Sequence, residues 1–206
     1  PASVKSAMVG GIVMNNASGM NCGTHANSDK ELLSAKIVLA DGTRLNTGDP
    51  ESRMTFEKNH TPFLNKIIEI RDEIRNDNEL SDRIRKKYSI KNVTGLNLLP
   101  FVIYDDPFDI IAHLMVGSEG TLAFLSEVTM KTEHDYPYSA SAMLYFSNIK
   151  DACRAVVAMK PGPVFSAELL DKKSLASVND TTGTGLTAVL TETKADTPEE
   201  LQANIE

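Results

Sequence analysis

The chain has 206 residues, of which 41% are hydrophobic and 24% are charged, an ordinary balance for a globular protein with one large domain or two small ones. Its formal net charge is −7 and its 21 lysines and arginines are scattered, which argues against a nucleic acid partner. No apolar run is long enough to span a bilayer, and no signal peptide is visible.

The cysteines and histidines form no pattern typical of a metal site. Cys22 and Cys153 make no CxxC pair, so we expect free thiols and a reducing, cytoplasmic compartment. The four histidines include no pair at a spacing of four, so no metal ligand is predicted within the chain. No Ser/His/Asp set is identifiable, and no catalytic residue is predicted.

The first elements combine an apolar segment, a loop and a hairpin. Residues 7–15 are apolar with a glycine pair, and they predict a buried strand or a close-packed segment. Residues 16–28 are rich in Asn, Gly, Ser and Thr and predict a long ordered loop. Two β-rich runs, 35–40 and 43–47, are joined by an Asp-Gly pair, which predicts a hairpin.

Two helices are expected next. Thr61 and Pro62 have the character of an N-cap and a first helical position, and apolar residues then recur at helical spacing as far as Ile74. Ser81 is expected to cap a second, basic helix over residues 82–88.

An irregular segment, a short helix and a strand complete the first half. Residues 90–107 predict irregular structure, and residues 109–114 predict a short helix. Residues 122–131 alternate and predict a strand, whose inner face is formed by Leu122, Phe124, Ser126, Val128 and Met130.

The second half has a β-α-β-α-β-α rhythm, which predicts a separate domain that begins near Tyr136. Its expected elements are a strand over 140–146, a helix over 149–159 capped by Asn148, a strand over 164–170, a short helix capped by Asp171, a strand over 186–192 and a helix that starts at Thr197 and Pro198.

Two glycine-rich motifs have to be weighed against simple turns. Residues 183–188 fit GxGxxA, but a polar loop leads into a strand there, whereas a dinucleotide turn needs a strand before it and a helix after it. Residues 117–121 read GSEGT and lack the lysine of a phosphate-binding P-loop. The second motif is either a tight turn or a backbone surface that a ligand can approach.

Several segments in this order resemble the FAD-linked oxidase family with the vanillyl-alcohol-oxidase (PCMH) type of flavin domain. The nearest resemblance is to D-lactate and D-2-hydroxyglutarate dehydrogenases, of the bacterial type with a C-terminal iron–sulfur region. It runs from about Ala7 to Lys131 and continues more weakly through "SAELLDKKSLASV". The segments that carry it are "GGIVMNNASGMNCGT", "LLSAKIVLADGTRLNTG", "KNVTG" and "DPFDIIAHLMVGSEGTLAFLSEVTMKT".

The resemblance implies an α+β fold in two parts. Residues 1–135 would be the second subdomain of a PCMH-type FAD-binding domain, and residues 136–206 the truncated beginning of a ferredoxin-like α+β cap (substrate) domain. Because the chain starts at Pro1 without an initiator Met and ends inside a predicted helix, we expect an internal fragment of a longer protein. Departures from the family pattern are Ser18 and Ala123, each at a position where glycine is commoner.

The resemblance also implies FAD as the cofactor. Small residues would line the ribityl chain and flavin, two strand residues would offer backbone to the adenine side, and the GSEGT turn would close against the dinucleotide. The acid and the hydroxyls of that turn could bind polar parts of the cofactor. The residues expected along the ribityl chain and flavin are Gly10, Gly11, Asn16, Ala17, Ser18 and Gly19. Those expected on the adenine side are Ile37 and Val38. The residues of the GSEGT turn are Gly117, Ser118, Glu119, Gly120, Thr121 and Leu122.

Two functional hypotheses remain open. In the first, the chain is part of an enzyme that oxidises a D-2-hydroxy acid, namely D-lactate, D-2-hydroxyglutarate or glycolate, with hydride transfer to flavin N5. Catalytic residues and any iron–sulfur cluster would then lie outside this chain, and the fragment alone would be inactive. The second is a non-catalytic interaction or regulatory module of the same fold. The electron acceptor and a peripheral association with a membrane are left open.

Overall fold

The computed structural model describes residues 3, 5–19, 22, 23, 25–90, 95–178 and 186–206. The chain divides into two compact units, Pro1–Glu133 and His134–Glu206. Each unit combines helices with an antiparallel three-stranded sheet, so the α+β class is confirmed. The assignment of the two units to a flavin domain and a cap domain stays a prediction. None of the helices in the described ranges is both long and apolar enough to cross a membrane.

The sheet of the first unit contains the predicted hairpin. Its strands are β1 (Leu32–Val38), β2 (Arg44–Asn46) and β3 (Phe124–Met130), in the order β2-β1-β3. The turn between β1 and β2 is set by Gly42, whose φ is +85°, and by Asp41, whose carboxylate accepts a hydrogen bond of 2.9 Å from the Thr43 amide. The inward side chains Ile37 and Leu45 are each only 1% exposed, which anchors the hairpin in the core.

Six helices pack with this sheet in the described part of the first unit. They are α1 (Val9–Asn15), α2 (Ser28–Glu31), α3 (Pro50–Asn76), α4 (Asn78–Lys87), α5 (Leu99–Ile103) and α6 (Pro107–Leu114). Their buried side chains form one continuous core with the sheet, including Phe56, Leu64, Ile67, Ile84, Val102 and Ile110.

Of the two alternatives for residues 7–15, a buried strand or a close-packed segment, the strand is wrong, because Val9–Asn15 forms helix α1. Asn16 ends the helix in the left-handed conformation, with φ of 53°, and its amide donates to the carbonyls of Ile12 and Val13. A short apolar run with a glycine pair fits a buried strand and a buried helix equally well, so periodicity could not decide. The left-handed Asn is the local signal for a helix end.

The start predicted for the long helix is also wrong. Helix α3 begins at Pro50, twelve positions earlier, where the Asp49 carboxylate accepts from the amides of Glu51 and Ser52. At Pro62 the helix continues across a kink, and His60 just before it has non-helical angles of −131° and 30°. Asp49-Pro50 is the same kind of helix start signal as Thr61-Pro62. The first helical turns after it are polar, so apolar residues at helical spacing did not indicate a helix there.

Two further boundaries move in the same region. Asp77, not Ser81, caps α4, and the buried Ser81 hydroxyl instead donates to the Ile74 carbonyl at 2.8 Å. The segment 90–107, predicted to be irregular, contains α5. The short helix predicted from 109 begins at Pro107 as α6, with Asp106 as its cap.

Strand β3 is confirmed, but the prediction of which side chains point inward is wrong for its first residues. Leu125 pairs with Ile37 while Glu127 pairs with Lys36, so Ser126 is an extra residue in a bulge. The bulge reverses the alternation, so Leu125 is 7% exposed whereas Phe124 is 68% exposed. Ala123 is buried as well, and Leu122 is exposed.

The second unit has the predicted order of elements. It consists of β4 (Tyr138–Phe146), α7 (Ile149–Met159), β5 (Ser166–Leu170), α8 (Lys172–Ser177), β6 (Thr187–Ala195) and α9 (Pro198–Ile205), with the sheet order β4-β6-β5. The predicted caps are confirmed, since side chains of Asn148, Asp171 and Thr197 accept from the amides of Asp151, Ser174 and Glu200. Both cysteines of the chain are free. Of the GxGxxA motif, residues 183–185 lie outside the described residues.

Arg53 joins three elements of the first unit. Its guanidinium donates to the Thr47 carbonyl, to Asp106 at 2.7 Å and to Asp109 at 3.2 Å. It also lies 5.1 Å from the centre of the Phe108 ring. These bonds tie the start of α3 to the start of α6, whose carboxylates lie at the positive end of a helix.

We expect Arg53→Ala to lower the free energy of unfolding by about 1–2 kcal/mol, because it leaves a carbonyl and two carboxylates without their donor. Arg53→Lys should recover only part of this loss, since an ammonium cannot reproduce the three-way geometry. Urea unfolding followed by circular dichroism measures both changes. Lys58→Ala, at an exposed position of the same helix, is the control and should change stability by less than about 0.5 kcal/mol. An equal loss in both alanine variants would contradict the role given to Arg53.

Candidate functional site

The two glycine-containing segments singled out in the sequence contact each other. The Glu119 amide donates to the Met14 carbonyl at 2.9 Å, and the Asn15 side-chain amide donates to the Glu119 carboxylate at 2.6 Å. The last turn of α1 therefore lies against the turn at residues 117–122, although about a hundred residues separate them in the chain.

The turn at residues 117–122 depends on three left-handed residues. Gly117, Glu119 and Gly120 have φ of 82°, 53° and 75°. A Cβ at position 117 would also lie 3.3 Å from the Gly95 carbonyl oxygen. Glycine at 117 and 120 is thus required by the backbone itself, as the tight-turn interpretation of this motif predicted.

The hydroxyl groups of this turn hold the turn together. The Ser118 hydroxyl is buried and donates to the Met115 carbonyl at 2.8 Å, and the Thr121 hydroxyl donates to the Ser118 carbonyl at 2.6 Å. The Glu119 carboxylate is held by Asn15. Both hydroxyls therefore bind backbone of the turn, while Glu119 and Leu122 are exposed beside it.

The glycine pair of α1 has a different character. A Cβ at Gly10 would make only ordinary contact, 3.5 Å from the Leu125 carbonyl oxygen, and a Cβ at Gly11 would meet none of the described residues within 4 Å. Both residues lie in the first turn of α1, where alanine is preferred over glycine by up to about 1 kcal/mol. Gly11 and Asn15 are one turn apart and share a face of the helix. This face, next to Glu119, is therefore a surface with few side chains that the packing of the described residues does not explain.

The loop after α1 is fixed by polar contacts. Asn16 is 6% exposed, and its amide group lies 3.5 Å from the Asp29 carboxylate. The Gly19 carbonyl accepts from the Cys22 thiol at 3.0 Å, and the same thiol lies 3.2 Å from the Asn27 side-chain oxygen. Ala17, Ser18 and Gly19 are half-buried between these anchors.

Ile37 and Val38 lie next to the strand that leaves the turn. They pair with Leu125 and Phe124 at the start of β3, and Gly10 lies against the Leu125 carbonyl. The structure thus brings all three predicted groups to one end of β3. The Ile37 side chain belongs to the core, and β1 has a partner strand on each side, so the predicted backbone contact to a ligand stays a prediction.

A groove of about 460 Å³ on the hairpin was not predicted. Its lining combines apolar side chains with two cations, of which Lys36 pairs with Glu127 at 2.8 Å. Val38 and Arg44 are cross-strand partners, so their side chains share one face of the sheet. The volume is in the range of small-molecule sites. The alternation of the two strands was the signal that could have found it.

A stacked aromatic pair was also not predicted from the sequence. The rings of Tyr104 and His113 stack with centroids 4.2 Å apart. His113 Nδ1 lies 2.8 Å from the Asp109 carbonyl, which can only accept, so this nitrogen carries a proton. Burial and then the charges of Asp109 and Asp29 raise the pKa of the Tyr104 phenol.

In the described part of the chain no three His, Cys, Asp or Glu residues form a group that could hold a metal ion.

Comparison with known proteins agrees with a flavin-binding class. Residues 1–48 match a family described as an FAD binding domain. The chain is also 33% identical over 79 residues to the mitochondrial D-lactate dehydrogenase [cytochrome] of Arabidopsis thaliana. That stretch is 37% of this chain and 14% of the relative, so the chain spans a small part of the relative's length. Both matches support an FAD-linked oxidase family for this chain.

The family match covers only part of the candidate site. It includes the segment from Gly10 to Gly19 as well as Ile37 and Val38, and it ends before the turn at residues 117–122. The turn is joined to the matched part by the bonds of Glu119 to Met14 and Asn15. The roles of the individual residues toward FAD therefore stay predictions.

We expect Gly117→Ala and Gly120→Ala to lower the free energy of unfolding by roughly 1–2 kcal/mol each, because alanine is strained at positive φ. Gly117→Ala should be the worse of the two, since its Cβ would also press on the Gly95 carbonyl. Gly11→Ala is the matched control and should stabilise the chain by up to about 1 kcal/mol. Urea unfolding measures all three, and a loss of stability at Gly11 would contradict this account of the two glycine classes.

Proposed function

We propose that this chain forms one wall of an FAD site in an enzyme that oxidises a D-2-hydroxy acid such as D-lactate, D-2-hydroxyglutarate or glycolate. The observation that carries the proposal is the contact between the last turn of α1 and the turn at residues 117–122. The match of residues 1–48 to an FAD binding domain supports the cofactor, and the similarity to a relative named a D-lactate dehydrogenase supports the substrate class.

The residues present suit a large planar cofactor. Among the described residues, none lies within 4 Å of a Cβ built at Gly11 or at Gly120. A ring system could approach the backbone at both places, where a larger residue would hold it away. Asn15, one turn after Gly11, and Glu119, next to Gly120, are joined by their 2.6 Å bond and would meet polar parts of the ligand.

FAD, when bound, supplies the oxidising chemistry by accepting a hydride at flavin N5. This chain would bind and orient the cofactor and exclude water from one side of it. The buried core beneath the site makes that wall rigid, because Val13 and Ala123 are 1% and 8% exposed. No catalytic residue is assigned here, and the proton acceptor and the groups that hold the substrate carboxylate are expected outside residues 1–206. The cytoplasmic compartment also stays a prediction.

The full-length protein is expected to bind FAD, to show the absorbance of an oxidised flavin and to lose it when a D-2-hydroxy acid is added without oxygen. The measurement is anaerobic titration with D-lactate, D-2-hydroxyglutarate and glycolate, with L-lactate as the control. If none of these acids reduces the flavin, the proposed substrate class is wrong and the proposed cofactor stands. A protein that stays colourless with added FAD would instead favour a non-catalytic module.

Gly11→Leu in the full-length protein should lower the affinity for FAD by tenfold or more, because its side chain would fill the space left for the cofactor. Equilibrium dialysis or flavin fluorescence measures the change. Ala158→Leu, an equally bulky change at an exposed position of α7, is the control and should leave FAD affinity unaltered. Normal FAD binding by the Gly11 variant would place the cofactor elsewhere.

A further inference from the structure

The exposed side of α4 carries a cluster of cations that the proposed flavin site does not use. Arg83, Arg85, Lys86 and Lys87 are all exposed, and Ile84 between them is 4% exposed and anchors the helix in the core. Within the described ranges, none of these four residues forms an ion pair with a carboxylate. We call this set the basic cluster.

Large aliphatic side chains lie beside the basic cluster. Ile90, Leu96, Leu98 and Ile103 are 70%, 46%, 40% and 42% exposed. The Tyr88 hydroxyl donates to the Leu96 carbonyl at 2.9 Å, which ties the end of α4 to the segment before α5. Helices α4 and α5 also pack together. These contacts bring the end of α4, with its cations, next to the segments that carry these four side chains, here called the apolar rim.

The acidic groups near this region weaken its charge only in part. Glu79 and Asp82 lie in the first turns of α4, and the cations follow them at the C-terminal end, where they also complement the helix dipole. The Asp29 side chain is only 12% exposed and is paired with Lys30 at 3.2 Å. Lys30 lines a small pocket together with Ile103, so another cation adjoins the apolar rim.

We propose that the basic cluster and the apolar rim dock this protein onto an anionic membrane surface. Lysine and arginine are attracted to anionic headgroups, and neighbouring aliphatic side chains can enter the boundary with the acyl chains. An acidic protein could also attract the cations, but protein interfaces are typically built around aromatic anchors, and this rim is aliphatic. Because the chain as a whole carries a charge of −7, we expect it to approach a negative surface through the basic cluster.

The test is co-sedimentation of the chain with vesicles of phosphatidylcholine, with or without about one-third phosphatidylserine. We expect binding to the anionic vesicles only, and weaker binding as salt is raised. Each cation contributes roughly fivefold to the partition coefficient, so Lys86→Glu with Lys87→Glu should lower it by about 25-fold or more. Ile90→Ser should lower binding without changing its salt dependence.

The control is Lys172→Glu with Lys173→Glu, an exposed lysine pair in α8 that undergoes the same change of charge. This variant should bind anionic vesicles like the unaltered chain. An equal loss in both double variants would overturn the proposal, as would equal binding to neutral vesicles. A chain that binds an acidic protein but no vesicle would overturn it too and would identify a protein-docking surface.

Discussion

The hydrogen bond from the Glu119 amide to the Met14 carbonyl is the contact on which the candidate site depends. It forms only because Asn16 ends α1 in the left-handed conformation while Gly117, Glu119 and Gly120 reverse the chain on the other side. Left-handed backbone is costly for residues other than glycine, so the bonds within the turn must offset it. Without this contact the two segments would be separate turns with no common surface.

The sheet gives this contact a fixed position in the molecule. Strand β3 leaves the turn and pairs at once with Val38 and Ile37 of β1, whose partner on the other side is β2. The bulge at Ser126 then shifts the register, which directs Leu125 into the core and Phe124 outward. The inward Leu125 lies close to Gly10, so the register of the sheet also sets the distance between the sheet and α1.

Local signals in the sequence were sufficient for several turns and caps, although the caps Asp49 and Asp77 were not recognised. The Asp41-Gly42 turn and the caps Asn148, Asp171 and Thr197 were predicted because their bonds reach only two or three positions along the chain. The bulge in β3 could not be predicted, since it exists only relative to its partner strand. The residues of the candidate site came from a family resemblance, whereas the contact between Asn15 and Glu119 came from the structure.

The structure also separates two kinds of glycine that the sequence presents alike. Gly117 and Gly120 have positive φ, so they would be needed to build this turn in a protein with no ligand at all. Gly11 is helical and no described residue lies within 4 Å of its Cβ position, so a chain selected for stability alone would favour alanine there. The packing of the described residues therefore gives no cause for glycine at this position. A cofactor that lies against α1 supplies such a cause. The flavin proposal therefore explains a feature of α1 that the fold does not require, whereas the glycines of the turn would be needed without a cofactor.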